Sequence, residues 1–407
     1  MADALARVID RASKLARDQI TEYAAWRGKI QYGQEIHAIY GDVLDFVNFR
    51  VETADSCLLL LGNRRVADAL GLCRALLENH LLFMLMCRGT KFFQLEDTQL
   101  KGAAFKAKLK EKQAELKQLQ NEEGVVCLGV DKHPRRDGLL IYIFEGLNSP
   151  DPDLPGFRIP AHYFHFRQFN PETMRLKDES YFQYYEPTPE VKKADRKHRL
   201  DQEMRYRFYL SYDSLLECLE LNGLADDALQ ARIEAHYTFL GKFLHPAHEA
   251  ARELHDSANA YDGRTRIGLD QTYSEYAVLL GYLYVCYLLA ATLDEAADFF
   301  ERAPGKYMAN PDTADLRAAT ARVPADFPYF WFLFNDPPLW DRYNYCLHHT
   351  TGDELTAWGG FEHVPFDQVP FDQHIYPHLK MAYGFWENAK VQPPSIPPRS
   401  SGTAASN

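Results

Sequence analysis

Two short stretches of the chain carry polar side chains that could do chemistry. In "CRALLENHLLFM", Arg74 and Glu78 are four residues apart, so both project from one face of a helix that is otherwise almost wholly apolar. Charges on such a helix are costly to bury unless they are paired and hydrogen-bonded. We therefore expect Arg74 and Glu78 to contact each other and one further polar partner.

The second stretch, "FLGKFLHPAHEAARELH" (239–255), contains the candidates for that partner. Its apolar spacing favours a helix that begins near Ala225. Pro246 removes the N–H that would bond back to Lys242, so a kink or a restart is expected there, and this can turn His245 inward. His248 and His255 are expected to be peripheral.

Two interpretations of Arg74, Glu78 and His245 stay open. In the catalytic one, Arg74 holds a phosphate, His245 acts as general acid or base, and Glu78 orients Arg74. In the structural one, the three residues form a buried network that fixes the register of the helices. Both interpretations place them in the middle of a helical bundle.

The histidine-rich stretch also permits a metal site. His248 and His255 are seven residues apart and can share a helix face, with Glu249 and Glu253 adjacent. However, no H-E-x-x-H or E-x-x-H repeat is present, and further ligands would have to come from distant helices. We therefore predict neither a metal nor a cofactor, and the absence of nucleotide-binding loops and of G-x-S-x-G excludes the chemistries that depend on them.

Basic residues near a run of aromatics indicate a possible nucleic-acid surface. Basic groups that follow phosphates beside rings on which bases stack are typical of single-strand binding. The alternative is a set of solvated helix faces, because glutamates are interleaved with the lysines. The candidates for nucleic-acid contact are Lys106, Lys110, Arg135, Arg136, Lys192, Lys193 and Arg196.

Composition indicates an ordinary globular protein rather than one that coats nucleic acid. The chain has 407 residues, 46% of them hydrophobic, and a net charge of −12, which disfavours bulk electrostatic binding of nucleic acid. Residues 91–210 nevertheless carry slightly more Lys and Arg than Asp and Glu. The seven cysteines are scattered singly, and the N-terminus lacks a secretory h-region, so we predict a cytoplasmic protein. The apolar run 276–293 is rich in tyrosine and favours a buried helix over a membrane span.

Periodicity predicts a mainly α fold with a helical-bundle core, a small β-containing insertion, and an irregular, aromatic-rich C-terminal region. Helices are expected over roughly 3–28, 33–61, 64–88 and 98–122, with strands over 138–145 and 157–169. The predicted division of the chain is a core from 1–90 and 188–304, a basic, partly β insertion at 91–187, a helical and irregular region at 305–390, and a disordered tail at 391–407.

The two helical stretches resemble an uncharacterised family of bacterial all-helical proteins. The resemblance rests on "ADSCLLLLGNRRVADALGLCRALLENHLLFML" and the later "HYTFLGKFLHPAHEA", that is, an R-x-x-x-E helix followed by an L-x-x-x-x-HP element, and covers roughly 40–90 and 200–295. This family is regarded as akin to HEPN helical bundles, many of which are metal-independent RNases of toxin–antitoxin and phage-defence systems. The resemblance implies a shared polar site of Arg74, Glu78 and His245.

The chain departs from the HEPN pattern, which places an Arg and a His four to six residues apart on one helix. The chain offers this spacing in "RALLENH" (Arg74 to His80) and "RYNYCLH" (Arg342 to His348), but His80 should lie on the far side of the helix from Arg74.

Two functions therefore stay open. One is a metal-independent RNase or RNA-binding effector, with RNA and a partner protein or antitoxin as partners and no membrane. The other is a non-enzymatic scaffold, in which the insertion and C-terminal aromatic segments such as "FPYFWFLF" bind a partner protein or a second copy of the chain.

Overall fold

The fold is taken from a computed structural model of the chain. It describes residues 2–34, 38–123, 129–133, 138–145, 169–170, 175–176, 212–244, 254, 273–309 and 312–391.

The chain is mainly α-helical, as the periodicity predicts. Eleven α-helices lie in the described residues, together with five short strands and three single-turn 3-10 helices. The helices are α1 (Ala2–Lys29), α2 (Ala38–Gly62), α3 (Val66–Arg88), α4 (Gly102–Glu123), α5 (Tyr212–Leu221), α6 (Asp227–Gly241), α7 (Glu275–Glu301), α8 (Ala314–Asp326), α9 (Leu339–His349), α10 (Gly352–Trp358) and α11 (Ile375–Val391).

Helix α7 forms the centre of the bundle and packs against α1, α2, α3 and α8. Its side chains are apolar around the whole circumference, which is the pattern of a helix covered on all sides. Gly281 lets α2 approach closely, because a Cβ atom at this position would lie 2.5 Å from Leu61 Cδ2. Ser274 caps the helix by accepting a hydrogen bond from the backbone N–H of Ala277.

Two helices, α3 and α7, are long and apolar enough to cross a membrane by length and composition alone. In α3, 67% of the most apolar window is buried inside the protein, and in α7 the share is 89%. Burial of this kind is also what central helices of a bundle require.

The insertion contains a three-stranded antiparallel sheet with the order β1, β3, β2. The strands are β1 (Lys91–Asp97), β2 (Gly129–Lys132) and β3 (Gly138–Glu145). Strand β3 coincides with the predicted strand 138–145, whereas β1 was not predicted. A two-stranded ribbon of Phe169–Asn170 and Arg175–Leu176 follows, and residues 157–168 of the second predicted strand lie outside the described residues.

A buried polar contact attaches the insertion to the bundle. His133, which is almost fully buried, contacts the carboxylate of Glu217 on α5. Within the insertion, Gln113 on α4 donates a hydrogen bond of 3.1 Å to the carbonyl of Val130 on β2. The sheet is therefore fixed both to its own helix and to the helix that leads back into the bundle.

The "FPYFWFLF" segment is part of the protein core. Phe330, Trp331 and Phe332 are each no more than 2% exposed, and they pack with the helices of the bundle in one hydrophobic cluster. The suggestion that this segment presents a surface to a partner is therefore wrong, because its rings are already covered by the same chain. The predicted disordered tail lies outside the described residues apart from Val391, which ends α11.

The tandem "VPFDQVPFDQ" (364–373) packs along α6. The ring of Phe366 lies 5.0 Å from the guanidinium carbon of Arg232, and the ring of Phe371 stacks on His236 with centroids 6.1 Å apart. Arg232 and His236 are four residues apart on α6, so each copy of the doublet covers one buried polar side chain of the same helix.

Candidate functional site

Arg74 and Glu78 contact each other on α3, as their spacing predicts. Arg74 Nε donates a hydrogen bond of 3.0 Å to Glu78 Oε1. The side chain of Arg74 is 15% exposed and that of Glu78 is 40% exposed. The pair therefore lies at the edge of the bundle and not in its middle, which corrects the expected depth of the site. The reason is that α3 packs mainly against α2 and α7, which leaves this face partly open.

The further polar partner in the described residues is Tyr237 on α6. Arg74 Nη2 donates a hydrogen bond to the Tyr237 hydroxyl, and the guanidinium carbon lies 4.1 Å from the centroid of the Tyr237 ring. A Cβ atom at Gly241 would lie 2.9 Å from Arg74 Nη1, so the glycine makes room for the guanidinium. The ring of Tyr212 stacks on Tyr237 with an interplanar angle of 6°.

Both tyrosines are held in the neutral form. Burial raises the pKa of Tyr237, which is then lowered by the charge of Arg74 and raised by that of Glu78. Burial also raises the pKa of Tyr212, and the carboxylate of Glu234 raises it further. The two phenols can therefore donate hydrogen bonds across the whole neutral range of pH.

His245 lies outside the described residues, as do His248 and His255. Helix α6 ends at Gly241, and the N–H groups of Phe243 and Leu244 bond to carbonyls three residues back, a tightened last turn that precedes Pro246. The helix predicted to begin near Ala225 therefore ends at Gly241, three residues into the quoted stretch, and the kink or restart expected at Pro246 lies outside the described residues. The side chain of Leu244 lies 3.3 Å from the position that a Cβ atom would take at Gly71, one turn before Arg74 on α3.

The two Arg and His pairs that the sequence analysis singled out, Arg74 with His80 and Arg342 with His348, do not form joint sites. His80 is 3% exposed, and its Nδ1 lies 3.4 Å from the hydroxyl of Thr292 on α7. Burial lowers the pKa of His80 to about 3, so it is a neutral core residue. Arg342 donates to the carbonyls of Pro337 and Glu362, away from the exposed His348.

His236 is a buried polar residue that the sequence reasoning missed. Its Nε2–H donates to the carbonyl of Phe332 at 2.8 Å, and its Nδ1 accepts from the hydroxyl of Tyr284 at 2.7 Å. Because the carbonyl can only accept, this arrangement fixes the tautomer. Burial lowers the pKa of His236 to about 3. The ring is therefore a neutral connector of α6, α7 and the C-terminal region.

The predicted nucleic-acid surface is described only in part. Lys106 and Lys110 are exposed on α4, four residues apart, and share one face of that helix. Their neighbours Lys108 and Lys112 pair with glutamates one turn on, at 3.5 Å and 3.1 Å. The other five candidates, Arg135, Arg136, Lys192, Lys193 and Arg196, lie outside the described residues.

No cluster of three or more His, Cys, Asp or Glu side chains suited to a metal occurs among the residues that the structure describes. The six cysteines that belong to this part of the chain are free thiols, and five of them are buried.

Comparison of the chain with protein-family models, with curated proteins and with solved structures finds no match. The resemblance to HEPN-related helical bundles therefore stays a hypothesis that rests on the residues quoted for it.

Proposed function

We propose that this protein is a metal-independent ribonuclease or RNA-binding effector of the HEPN-like kind, of the sort that acts in toxin–antitoxin or phage-defence systems. One observation carries the proposal: the guanidinium of Arg74 is oriented by Glu78 and Tyr237 at the open edge of the bundle. A planar cation held in a fixed orientation and reachable from solvent is suited to binding a phosphate group.

The chemistry of such a site needs no metal. A general base takes the proton of a ribose 2′-hydroxyl, whose oxygen attacks the adjacent phosphorus. The bond from phosphorus to the 5′-oxygen breaks, and a general acid protonates that oxygen, which leaves a 2′,3′-cyclic phosphate and a 5′-hydroxyl. In the proposal, His245 moves these protons and Arg74 stabilises the charge that develops on the phosphoryl oxygens.

Tyr237 and Glu78 act as positioning residues in this scheme. Glu78 accepts a hydrogen bond from Nε of Arg74 and Tyr237 accepts one from Nη2, which leaves Nη1, beside Gly241, as the guanidinium nitrogen that neither of these two residues binds. The sequence continues from this turn through Leu244 directly to His245. The proposal therefore combines the guanidinium of Arg74, as the group that would bind the phosphate, with His245, a few residues beyond Gly241, as the proton donor.

The test is cleavage of total cellular RNA in the presence of EDTA, followed on a denaturing gel. Wild type should cleave, and both His245→Ala and Arg74→Ala should lose about a hundredfold or more of the rate while staying folded. His348→Ala is the matched control. It removes an exposed histidine on α9, outside the site, and should cleave like wild type. Intact RNA with folded wild-type protein would refute the nuclease.

The second candidate is a non-enzymatic scaffold, and the same contacts favour it in one respect. Two of the three nitrogens of Arg74 are already occupied by protein groups that join α3 to α6. In a purely structural network, Glu78→Ala lowers the free energy of unfolding by about 1–3 kcal/mol, since it leaves Arg74 without its carboxylate. In an active site, Glu78→Ala lowers the rate of cleavage much more than the stability. Urea unfolding and the cleavage assay on the same protein separate the two.

A further inference from the structure

A groove lies beside the Arg74 site, between α6 and the beginning of α11. It encloses a cavity of about 180 Å³. Its floor consists of the buried residues Ala235, Phe239 and Ile375. Its rim consists of exposed polar side chains, namely Glu234, Thr238, Lys242, Gln373 and His374. An apolar floor below a few polar groups is the usual composition of a small-ligand site.

The groove and the Arg74 site occupy neighbouring faces of one helix. Tyr237 and Gly241 face Arg74, whereas Thr238 and Lys242, each the next residue, face the groove. Consecutive residues of a helix lie about 100° apart around the axis, so the two sites are adjacent and share one wall. The carboxylate of Glu234 borders both, because it lines the groove and also raises the pKa of Tyr212.

The rim offers hydrogen-bonding groups that no other part of the described chain uses. The side chains of Glu234, Thr238 and Lys242 make no hydrogen bond or ion pair with any residue that the structure describes. At neutral pH an ionised carboxylate can only accept hydrogen bonds, and an ammonium can only donate them. The rim therefore presents an acceptor at one end of the groove and a donor at the other, with a hydroxyl between them.

We propose that this groove binds the base of the nucleotide next to the phosphate held at Arg74, and that Glu234 selects bases with an exocyclic amino group. This inference rests on the proposed function. A flat base can lie against the apolar floor of Phe239 and Ile375 while its edge reaches the polar rim, which is how proteins read unpaired RNA. Adenine and cytosine carry an amino group that donates to a carboxylate, and uracil carries none.

The experiment measures binding of fluorescent 12-nucleotide homopolymers of A, C and U by anisotropy, in EDTA and at fixed salt. The RNAs carry 2′-O-methyl groups, so cleavage through the 2′-hydroxyl is blocked. Wild type should bind the A and C polymers about tenfold more tightly than the U polymer. Glu234→Gln should reduce this ratio to near one, because an amide can donate to uracil as well as accept from an amino group.

Two controls separate the effects of charge and of phosphate binding. Asp353→Asn removes one negative charge at an exposed position on α10 and should keep the wild-type ratio. Arg74→Lys should weaken binding of all three polymers by a similar factor, since a phosphate contact carries no base preference.

The outcomes are distinguishable. Two results would overturn the base-binding groove and leave the proposed function standing. One is that Arg74→Lys loses binding while Glu234→Gln keeps the wild-type ratio. The other is that wild type binds the three polymers equally. Binding that does not respond to Arg74→Lys, or no binding at all, overturns the proposed function and the groove together.

Discussion

Three of the histidines that are buried in the described part of the chain make the stability of this protein depend on pH. Burial lowers the pKa of His80 and His236 to about 3 and that of His378 to about 4. In an unfolded chain a histidine titrates near about 6.5. Between these values the unfolded state binds a proton that the folded state does not bind. Each histidine therefore lowers the free energy of unfolding as the pH falls from about 6.5 toward its folded pKa.

The size of this effect at pH 5 follows mainly from the unfolded state. At this pH an unfolded histidine lies about 1.5 units below its pKa, and one unit corresponds to about 1.4 kcal/mol, so each buried histidine costs about 2 kcal/mol relative to pH 7.5. The result is nearly the same for a folded pKa of 3 or of 4. Three histidines together therefore cost about 6 kcal/mol, a large part of the stability of a typical domain.

Two acidic residues, the buried Glu295 and the partly buried Asp341, act in the opposite direction. Burial raises the pKa of Glu295 and of Asp341 to about 7, above the value of an unfolded carboxyl, so the folded state binds protons first as the pH falls. Their contribution to the free energy of unfolding rises as the pH falls from about 7 to about 4.5, and it offsets much of the loss from the histidines. The pH dependence of wild type alone therefore does not isolate the histidines, whereas a comparison of variants does.

His236→Gln isolates one histidine. A glutamine amide can donate to the Phe332 carbonyl and accept from the Tyr284 hydroxyl, but it does not titrate. Urea unfolding followed by circular dichroism at pH 7.5 and pH 5 gives the change in the free energy of unfolding for each protein. The change in the free energy of unfolding from pH 7.5 to pH 5 should be about 2 kcal/mol more positive for His236→Gln than for wild type, because the glutamine binds no proton in the unfolded state. The exposed His348→Gln serves as the control. If His236→Gln and wild type respond equally to pH, the buried, neutral state of His236 is refuted.

Three further predictions concern the packing and the helix ends, and urea unfolding at pH 7.5 checks each of them. Gly281→Ala should lower the free energy of unfolding by about 1–3 kcal/mol, because the new methyl group would overlap Leu61 in the core. Gly384→Ala, in an open part of α11, should raise the free energy of unfolding by about 0.5–1 kcal/mol, so a loss of stability at both positions would contradict the packing argument. Tyr284→Phe should lower the free energy of unfolding by about 1–3 kcal/mol, because it leaves Nδ1 of the buried His236 without a donor. An unchanged stability would mean that the hydrogen bond between Tyr284 and His236 is absent. Asp226→Ala should cost about 1 kcal/mol by removing the N-cap that accepts from Leu229, whereas Asp226→Asn should keep most of the stability.

The helices of the bundle could be predicted well where apolar spacing is long and the ends carry turn residues. The predicted helix 64–88 corresponds to Val66–Arg88, and α2 ends at Gly62, where Gly62 and Asn63 are typical turn residues. Strand β1 was missed because it is short and its pairing with β3 depends on residues about fifty positions away, which local spacing does not reveal.

The candidate site was predicted only as far as local spacing reaches. Arg74 and Glu78 are one turn apart, so their contact follows from the geometry of a single helix. Tyr237 lies 163 residues further along the chain, and only the packing of α6 on α3 brings it to Arg74. The depth of the pair was overestimated because an apolar helix does not reveal which of its faces the neighbouring helices leave open.

The contacts of α6 also depend on residues that are translated much later than α6 itself. The carbonyl that accepts the hydrogen bond of His236 belongs to Phe332, which is translated 96 residues later, and the second wall of the groove begins only at Gln373. At a rate of about 5–20 residues per second, the nascent chain carries His236 without its acceptor for roughly 5–20 s. A chain that stops before this point lacks the acceptor of His236 and has a groove with only one side. The groove is therefore complete only after residue 375 has been translated.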